Sequence, residues 1–280
     1  MLFGYNTNGF AHHKLEDAAR IIAGCGYRAI ALTPDVHHLN PFDPDLPERA
    51  AEFRELLDSL DLKCVIETGA RFLLDAHRKH QPTLLSPNPD DRNYRYEFLA
   101  LDCVGLAKAL GADVVSFWSG TPSDDAPPGE LMVRLVEQCK RLADEAAGKG
   151  VRLAFEPEPG MFIDTMDKFT ELHGRVNHPA FGLTLDVGHL VCMNELPVSG
   201  HVRQWQNWLW NIHLDDMRSG VHDHLPLGEG EVDFADFFTA TEEGRYTGCI
   251  SVELSRHSHD AVTTARRSMS FLKTHAGSTL

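Results

Sequence analysis

Residues 151–156 read VRLAFE, a short apolar run that stops at the carboxylate of Glu156. Three later runs have the same form, namely 182–189 (GLTLDVGH), 211–215 (NIHLD) and 249–253 (CISVE). Each has the length and the apolar character of a buried strand. Since strand side chains alternate between two faces, a small or polar residue shares the face of each acidic or imidazole side chain. This pattern is typical of the inner wall at a barrel mouth.

The side chains at the four strand ends form a donor set for a divalent cation. They are Glu156, Asp186, His213 and Glu253. Carboxylate oxygens together with one imidazole suit Mn²⁺, Co²⁺ or Mg²⁺. A single acidic residue at a strand end is better explained as a cap of the following loop or helix. Four such ends in one chain favour a common metal site where the strands converge.

Strand and helix patterns alternate along the whole chain. The predicted strands are 2–6, 27–33, 62–68, 112–118, 151–156, 182–189, 211–215 and 249–253, and the predicted helices are 13–23, 48–60, 93–110, 129–148, 166–175, 201–210, 233–243 and 260–275. Strict alternation implies parallel strands joined by right-handed crossovers. Eight such units predict an α/β fold, a single (β/α)8 TIM barrel over 1–280 with its active site at the C-terminal ends of the strands. An open doubly wound sheet is the alternative, disfavoured because no glycine-rich phosphate loop follows the first strand.

Composition and charge exclude several classes of protein. The chain has 280 residues, 42% of them hydrophobic, and a net charge of −15, which disfavours nucleic-acid binding because phosphates need clustered Lys and Arg. No apolar run approaches the roughly 20 residues of a membrane span, and the first residues lack a secretory signal pattern. The six cysteines are scattered, without a CxxC pair. We therefore expect a cytoplasmic protein with reduced thiols and neither a membrane nor a nucleic-acid partner.

Five strings in the second half resemble one protein family. They are FEPEPG at 155–160, LDVGH at 185–189, IHLDDM at 212–217, PLGEGEVDF at 226–234 and SVEL at 251–254. Together they are similar to the xylose isomerase-like barrel superfamily of sugar (phosphate) isomerases and epimerases. The resemblance implies a metal bound by Glu156, Asp186, His213 and Glu253. It also implies that Glu156 and Glu253 are catalytic and transfer protons, and that His189 contacts the substrate.

The resemblance further implies a reaction and a cofactor. The expected cofactor is a divalent metal, with Mn²⁺ favoured and Co²⁺, Mg²⁺ or Zn²⁺ as alternatives. The expected substrate is a small sugar or related polyol, which loses a proton next to a carbonyl through a metal-stabilised enediolate. The same proton abstraction followed by loss of a hydroxyl would make the protein a dehydratase of the inosose or dehydroshikimate type. A sugar-binding barrel without catalysis is a further alternative.

Additional histidines keep a multi-zinc phosphodiesterase or endonuclease open as another alternative. Apurinic endonucleases of the same superfamily hold three metals with extra histidines and have Asp-x-His before the LGEG string. The corresponding residues here are His222-Asp223-His224, so His224 matches that pattern and His222 departs from it. His189, His222 and His224 are therefore candidates for a second metal or for substrate contacts. A polar loop that faces water explains His222 and His224 equally well.

Substrate contacts are expected from residues that end other strands or flank the metal ligands. These candidates are His38, Glu67, Trp118, Glu158, His189 and Arg256. Trp118 could stack on a sugar ring, although an aromatic residue at that position is as often part of the core.

Two other features bear on the substrate and on assembly. The stretch 70–92 is long and aperiodic, which favours a functional loop or a lid. Its basic side chains are Arg71, Arg78, Lys79 and His80. They could bind a phosphate or carboxylate, but a solvated basic loop is the simpler interpretation. The predicted helix 201–210 carries three tryptophans, which indicate either an aromatic surface of a homo-oligomer or packing on the barrel.

Overall fold

Eight parallel strands close into a barrel in the structure, a computed structural model that describes residues 1–276. The strands are β1 (Leu2–Asn6), β2 (Ala29–Leu32), β3 (Lys63–Glu67), β4 (Val114–Phe117), β5 (Arg152–Phe155), β6 (Phe181–Asp186), β7 (Leu209–Leu214) and β10 (Cys249–Val252), with an antiparallel hairpin of β8 (Asp216–Arg218) and β9 (Val221–Leu225) outside the barrel. Around the barrel they are hydrogen-bonded in the order β1-β10-β7-β6-β5-β4-β3-β2. The predicted (β/α)8 fold is confirmed. The predicted domain of 1–280 includes 277–280, which lie outside the described residues.

Helices follow the strands and cover the outside of the barrel. They are α1 (Leu15–Gly24), α2 (Leu46–Ser59), α3 (Pro89–Glu97), α4 (Val104–Leu110), α5 (Pro128–Gly148), α6 (Met166–Val176), α7 (Val187–Cys192), α8 (Val198–Trp205), α9 (Phe234–Glu243) and α10 (Ala261–His275). In α5, the buried residues Leu131, Leu135 and Leu142 recur at helical spacing, so one apolar stripe faces the barrel. The helix predicted at 93–110 begins earlier, because Pro89 occupies the first helical position, where its missing N–H costs nothing.

The barrel interior changes from apolar to charged along its axis. Near the starts of the strands the interior holds small apolar side chains, namely Ala29, Val65, Val114, Ala154 and Cys249. Further along β4 and β6 the interior is polar, and the Thr184 hydroxyl donates a hydrogen bond to the Ser116 hydroxyl over 2.8 Å. The strands then end at carboxylates and imidazoles. Strand alternation puts every second side chain on the inner wall, so these residues share that wall with the carboxylates and imidazoles at the strand ends.

The DVGH string leaves the strand earlier than its apolar pattern indicates. β6 ends at Asp186, and His189 lies in helix α7 rather than on the strand. The Asp186 carboxylate accepts a hydrogen bond from the His189 backbone N–H over 2.9 Å and so caps the helix. Gly188 is required there, because a Cβ at this position would collide with the Asp215 carboxylate. The turn folds the chain back against the end of β7.

The tryptophan-rich segment is shorter as a helix than predicted. α8 ends at Trp205, whereas Trp210 lies on β7, whose pairing with β6 and β10 takes precedence over helical spacing. The rings of Trp205 and Trp208 contact His173 with centroids 5.1 and 4.8 Å apart. The three rings are buried or half-buried, so the packing interpretation accounts for them. Formation of a homo-oligomer stays a prediction.

None of the helices within residues 1–276 combines the length and the apolarity that crossing a membrane would require.

Candidate active site

A cavity of about 430 Å³ opens at the C-terminal ends of the barrel strands. It is lined by Asn8, Ala11, His12, Thr33, Asp35, Glu67, Gly69, Arg71, Lys79, His80, Trp118, Glu156, Glu158, His222, His224, Glu253, Ser255, Arg256, Ser258 and His259. Its size falls in the range of roughly 300–1,000 Å³ that small-molecule sites occupy. Four carboxylates of glutamate line it, and most of its wall is polar, as suits a polyhydroxylated ligand rather than an apolar one.

The four metal-ligand candidates meet beneath this cavity. Glu156, Asp186, His213 and Glu253 each offer one ligand atom, and these atoms lie within 4.8 Å of one another. His213 is central, because its Nδ1 lies 2.8 Å from Glu156 Oε1 and 2.9 Å from Glu253 Oε2. Only the two glutamates of the quartet, among the described residues, reach the cavity wall. The side chains of Asp186 and His213 are fully enclosed behind them.

The quartet has the charge and the unused lone pairs that a divalent cation needs. Three carboxylates surround one imidazole, so at most one positive charge from the quartet opposes three negative charges. Burial raises the pKa of Asp186 well above its ordinary value, and the neighbouring Asp215 raises it further. Within the described chain, Asp186 Oδ2 is buried and has no hydrogen-bond partner. Such an arrangement is costly unless a cation neutralises it, so the residues present fit a divalent metal.

Asn211 provides the outer support that a metal-binding imidazole requires. Its side-chain nitrogen lies 3.1 Å from His213 Nε2, while its Oδ1 is buried and has no partner in the described part of the chain. If the two ends of this amide exchange places, Oδ1 accepts the Nε2–H and the Nδ1 lone pair is free for a cation. Without a cation, the carboxylates of Glu156 and Glu253 hold a proton on Nδ1 and raise the pKa of His213 well above its usual value, against the effect of burial.

The two glutamates of the quartet lie in different electrostatic surroundings. Burial raises the pKa of Glu156, and the charge of His213 offsets this only in part. Glu253 is buried as well, but His213, His224 and a hydrogen bond of 2.9 Å from the Asn8 amide lower its pKa below the ordinary value. Glu67 accepts a hydrogen bond from the Thr33 hydroxyl over 2.6 Å, and burial together with the charge of Glu253 raises its pKa to about 8.

Three histidines form a second cluster next to the quartet. His189, His222 and His224 offer ring nitrogens within 4.8 Å of one another. His189 Nδ1–H donates to the Pro157 carbonyl over 3.0 Å, so its Nε2 carries the lone pair, 3.7 Å from Glu158 Oε2. His222 and His224 line the large cavity, whereas His189 borders a small neighbouring cavity with Asp186 and Glu195.

The other predicted substrate residues divide into two groups. Glu67, Trp118, Glu158 and Arg256 line the large cavity. His38 does not line the large cavity, because its Nε2–H donates to the His13 carbonyl over 3.0 Å and its ring borders a small adjoining cavity of about 30 Å³. Trp118 is buried between its neighbours, with the guanidinium of Arg95 4.6 Å from its ring centroid.

The residues whose role sequence reasoning missed contact the ligand candidates from the same strand, a neighbouring strand end or a turn. Asn8 and Asn211 contact Glu253 and His213, and Asp215 forms an ion pair with His224. Strand alternation could have identified Asp215, since it follows His213 by two residues. Asn8 lies just beyond the end of β1, so the same strand-end criterion applied to the first strand would have included it.

Asp216 explains the LGEG string in structural terms. Its carboxylate accepts backbone N–H bonds from Gly228, Gly230 and Val232 over 2.8–3.0 Å. Gly228 has φ +91°, and a Cβ on Gly230 would lie 2.5 Å from the Met217 carbonyl oxygen. The string therefore wraps around one buried carboxylate, and only glycine fits at these two positions. This turn holds the hairpin that carries His222 and His224 over the cavity.

The fold and the site together agree with one family. A sequence profile described as a xylose isomerase-like TIM barrel matches residues 16–275. The chain belongs to this family. Among its curated relatives, L-ribulose-5-phosphate 3-epimerase UlaE of Escherichia coli is 24% identical over 196 residues, 69% of this chain and 68% of the epimerase. Inosose dehydratase of Clostridium beijerinckii is 25% identical over 136 residues, 42% of this chain and 45% of the dehydratase, so that match spans less than half of the relative.

Solved structures show the same xylose isomerase-like barrel. D-allulose 3-epimerase from Methylomonas sp. superposes with a TM-score of 0.78 at 22% identity and covers 98% of both chains. A structure of a protein named IolI, which contains a zinc atom, has a TM-score of 0.77 at 19% identity, with 99% of this chain and 100% of IolI covered. At these identities the likeness establishes the fold. The relatives named here thus include sugar epimerases and a dehydratase.

Proposed function

We propose that this protein is a divalent-metal-dependent isomerase or epimerase of a small sugar or related polyol. The main support for the proposal is that two residues of the quartet line the cavity and the other two do not. Glu156 and Glu253 line the cavity, where a substrate can reach them, while Asp186 and His213 are enclosed behind them. Two carboxylates that can both bind a cation and touch a substrate suit proton transfer beside a carbonyl.

The metal would be held by all four residues of the quartet. When bound, such a cation polarises a carbonyl oxygen and stabilises negative charge that develops on it. Mn²⁺ is our favoured ion, because three carboxylates and one imidazole form a largely oxygen donor set. Asn211 would orient His213 through its Nε2–H. The zinc atom in the related IolI structure supports a divalent cation on this fold.

Glu156 and Glu253 would move the proton. Their carboxylate oxygens approach His213 Nδ1 to 2.8 and 2.9 Å. One of them accepts the proton from the carbon next to the carbonyl. The other returns a proton to the opposite face of that carbon, or to the adjacent carbon. Glu158, His222 and His224 would contact substrate hydroxyls from the cavity wall, and Trp118 would lie beside the carbon chain.

Replacement of each glutamate by glutamine tests this proposal. We expect Glu156→Gln and Glu253→Gln to retain part of the metal, since an amide oxygen remains, while turnover falls by roughly 10²–10⁴-fold. Exchange of substrate hydrogen with D₂O, measured by mass spectrometry over a panel of ketoses, reports the proton step directly. Asp35→Asn is the matched control, because Asp35 lines the same cavity outside the quartet. Near-normal turnover in both glutamine variants would refute the pair.

A dehydratase is the second candidate function. The relation to inosose dehydratase favours it, and the same carboxylate pair would abstract the proton before a hydroxyl leaves. Product analysis separates the two outcomes. A ketose isomer or epimer as product supports our first proposal, whereas loss of water from an inosose or from dehydroshikimate supports the dehydratase.

A multi-zinc hydrolase is the third candidate, favoured by the cluster of His189, His222 and His224. Metal analysis of protein purified without chelators distinguishes it. One Mn²⁺-like ion per chain supports the isomerase, and two or three Zn²⁺ ions with activity on a phosphodiester support hydrolysis. The net charge of −15 opposes a nucleic-acid substrate.

We also propose a reducing, cytoplasmic environment for this protein. All six cysteines are free, and five of them are buried. Burial raises the pKa of the Cys64 thiol to about 12, so this side chain stays protonated and unreactive.

A further inference from the structure

The mouth of the large cavity differs in charge from its floor. The floor carries the carboxylates of Glu156, Glu253 and Glu67. Three exposed cations, Arg71, Lys79 and Arg256, line the mouth, together with one carboxylate, Asp35. In a chain with a net charge of −15, this concentration of positive charge at one opening is unusual. It lies where one end of an elongated substrate would project.

Two of these three cations have no anionic partner. Within residues 1–276, neither Arg71 nor Lys79 has a carboxylate oxygen within 4 Å, and Arg71 makes one long contact of 3.4 Å to the Ser255 hydroxyl. Arg256, in contrast, pairs with Asp223 at 2.5 Å. Arg78, from the same loop as Arg71 and Lys79, pairs with Asp75 at 2.6 Å. Of the three cations at the mouth, Arg71 and Lys79 are therefore the two whose charge no carboxylate of the described chain neutralises.

The loop 71–80 brings the two unpaired cations together. The His80 backbone N–H donates to the Arg71 carbonyl over 2.7 Å and closes the base of the loop. Inside the loop, the Asp75 carboxylate accepts backbone N–H bonds from His77 and Arg78 over 2.8 and 3.0 Å. Arg71 and Lys79 thus emerge side by side at the base, although seven residues separate them in sequence. The backbone hydrogen bond at the base of the loop therefore keeps both charged side chains at the mouth of the cavity.

The charges of this pair also act on the cavity wall. The His80 ring lies against Trp118 with centroids 4.9 Å apart. Burial lowers the pKa of His80 to about 3, and the charges of Lys79, Arg95 and Arg71 contribute to this shift. His80 is consequently neutral, so the positive charge at this side of the mouth comes from Arg71 and Lys79.

We propose that Arg71 and Lys79 form a binding subsite for an anionic group, a phosphate monoester or a carboxylate, at the end of the substrate remote from Glu156 and Glu253. The guanidinium presents two parallel N–H donors to an oxyanion, and the ammonium adds a point charge. The inference rests on the proposed function for the position of the reacting carbons. Recognition of the anion itself depends only on the loop and the cavity mouth.

The test compares Arg71→Gln/Lys79→Gln with Arg78→Gln. Arg71, Lys79 and Arg78 are all exposed. The control replaces Arg78, a cation of the same loop that is already paired with Asp75. On Mn²⁺-loaded protein, we expect the double variant to raise KM for a ketose phosphate or a sugar acid by 10–100-fold. The value of kcat, and the KM of the neutral ketose of the same length, should change less than threefold. Arg78→Gln should behave like the wild type.

Binding of small anions separates this subsite from the proposed reaction. Calorimetry with inorganic phosphate and with acetate shows which anion is preferred, and the double variant should lose at least tenfold in affinity for the preferred one. If no ketose is turned over but this loss occurs, the subsite stands and the proposed function fails. If the wild type binds neither anion, or the double variant binds like Arg78→Gln, the subsite is refuted whatever the enzyme catalyses.

Discussion

The two halves of the barrel contribute different chemistry to one cavity. The residues of the metal quartet lie at the ends of β5, β6, β7 and β10, which are consecutive around the barrel. The ends of β1 to β4 supply Asn8, Thr33, Glu67 and Trp118, which line another part of the cavity wall. The second half thus supplies the candidate metal ligands, which converge on one point. The first half supplies a large part of the wall around the space that a substrate would fill.

This difference reflects what each task demands. Metal ligands must converge within a few ångströms, and adjacent parallel strands achieve this because their ends lie side by side. Recognition of a substrate needs contacts spread over its length, which loops such as 71–80 provide. The division predicts that substitutions in the quartet of the second half affect metal binding and turnover together, whereas substitutions of cavity residues in the first half change substrate affinity.

The largest expected effect is on metal affinity, which should depend on a carboxylate of the second half and not on one of the first half. Asp186→Asn removes a carboxylate ligand, and we expect metal affinity to fall by more than the roughly 10–100-fold that loss of an outer hydrogen-bonding partner costs. Glu67→Gln, a buried carboxylate of the first half, should keep the metal. Metal titration followed by emission spectrometry measures both. Equal loss of metal in Asp186→Asn and Glu67→Gln would show that the two halves do not differ in their contribution to metal binding.

A smaller effect is expected from Asn211, whose side chain contacts Nε2 of the His213 imidazole. Asn211→Leu deletes the amide next to His213 Nε2, and we expect metal affinity to fall by about 10–100-fold while substrate KM at saturating metal stays near normal. Ser116→Ala is the control, because Ser116 belongs to the same polar layer and its hydroxyl bonds Thr184 rather than a metal ligand. An unchanged metal affinity in Asn211→Leu would show that Asn211 does not orient His213.

The smallest expected effect concerns a carboxylate of the first half that lies outside the cavity. Burial, and then the charge of Glu97, raises the pKa of Asp102 to about 6 from 3.8. The folded state therefore binds this proton more tightly than the unfolded state, so stability falls as pH rises from about 4 to about 6. Asp102→Asn should equal the wild type near pH 3 and exceed it at pH 8 by about 1 kcal/mol, because solvent screening of this half-exposed carboxylate reduces the roughly 1.4 kcal/mol that each unit of pKa shift would otherwise contribute. Urea unfolding at both pH values measures this, with catalysis unaffected.

A stabilisation that is the same at both pH values would contradict the raised pKa of Asp102. A change in kcat would instead contradict the position of Asp102 outside the cavity, where it has no contact with a substrate.

The alternation of strand and helix patterns predicted the barrel, and the residue types at the ends of the apolar runs predicted the quartet. Glu156, Asp186, His213 and Glu253 each end a buried run, and this pattern is local, so it can be read from one segment at a time. The same logic placed Glu67 and Trp118 at the cavity. It placed His38 there too, but in the structure that ring bonds the His13 carbonyl and does not line the large cavity. The orientation of a loop residue depends on partners that are distant in sequence.

The amino-acid sequence by itself determined the repeating βα order, the approximate positions of the strands and the residue types near their ends, because these depend on periodicity over a few residues. Only the tertiary structure decided that Asn8 reaches Glu253, that Asp215 pairs with His224, and that Arg71 and Lys79 share one opening. Such contacts form between segments up to 245 residues apart, and closing the barrel sets which of them meet.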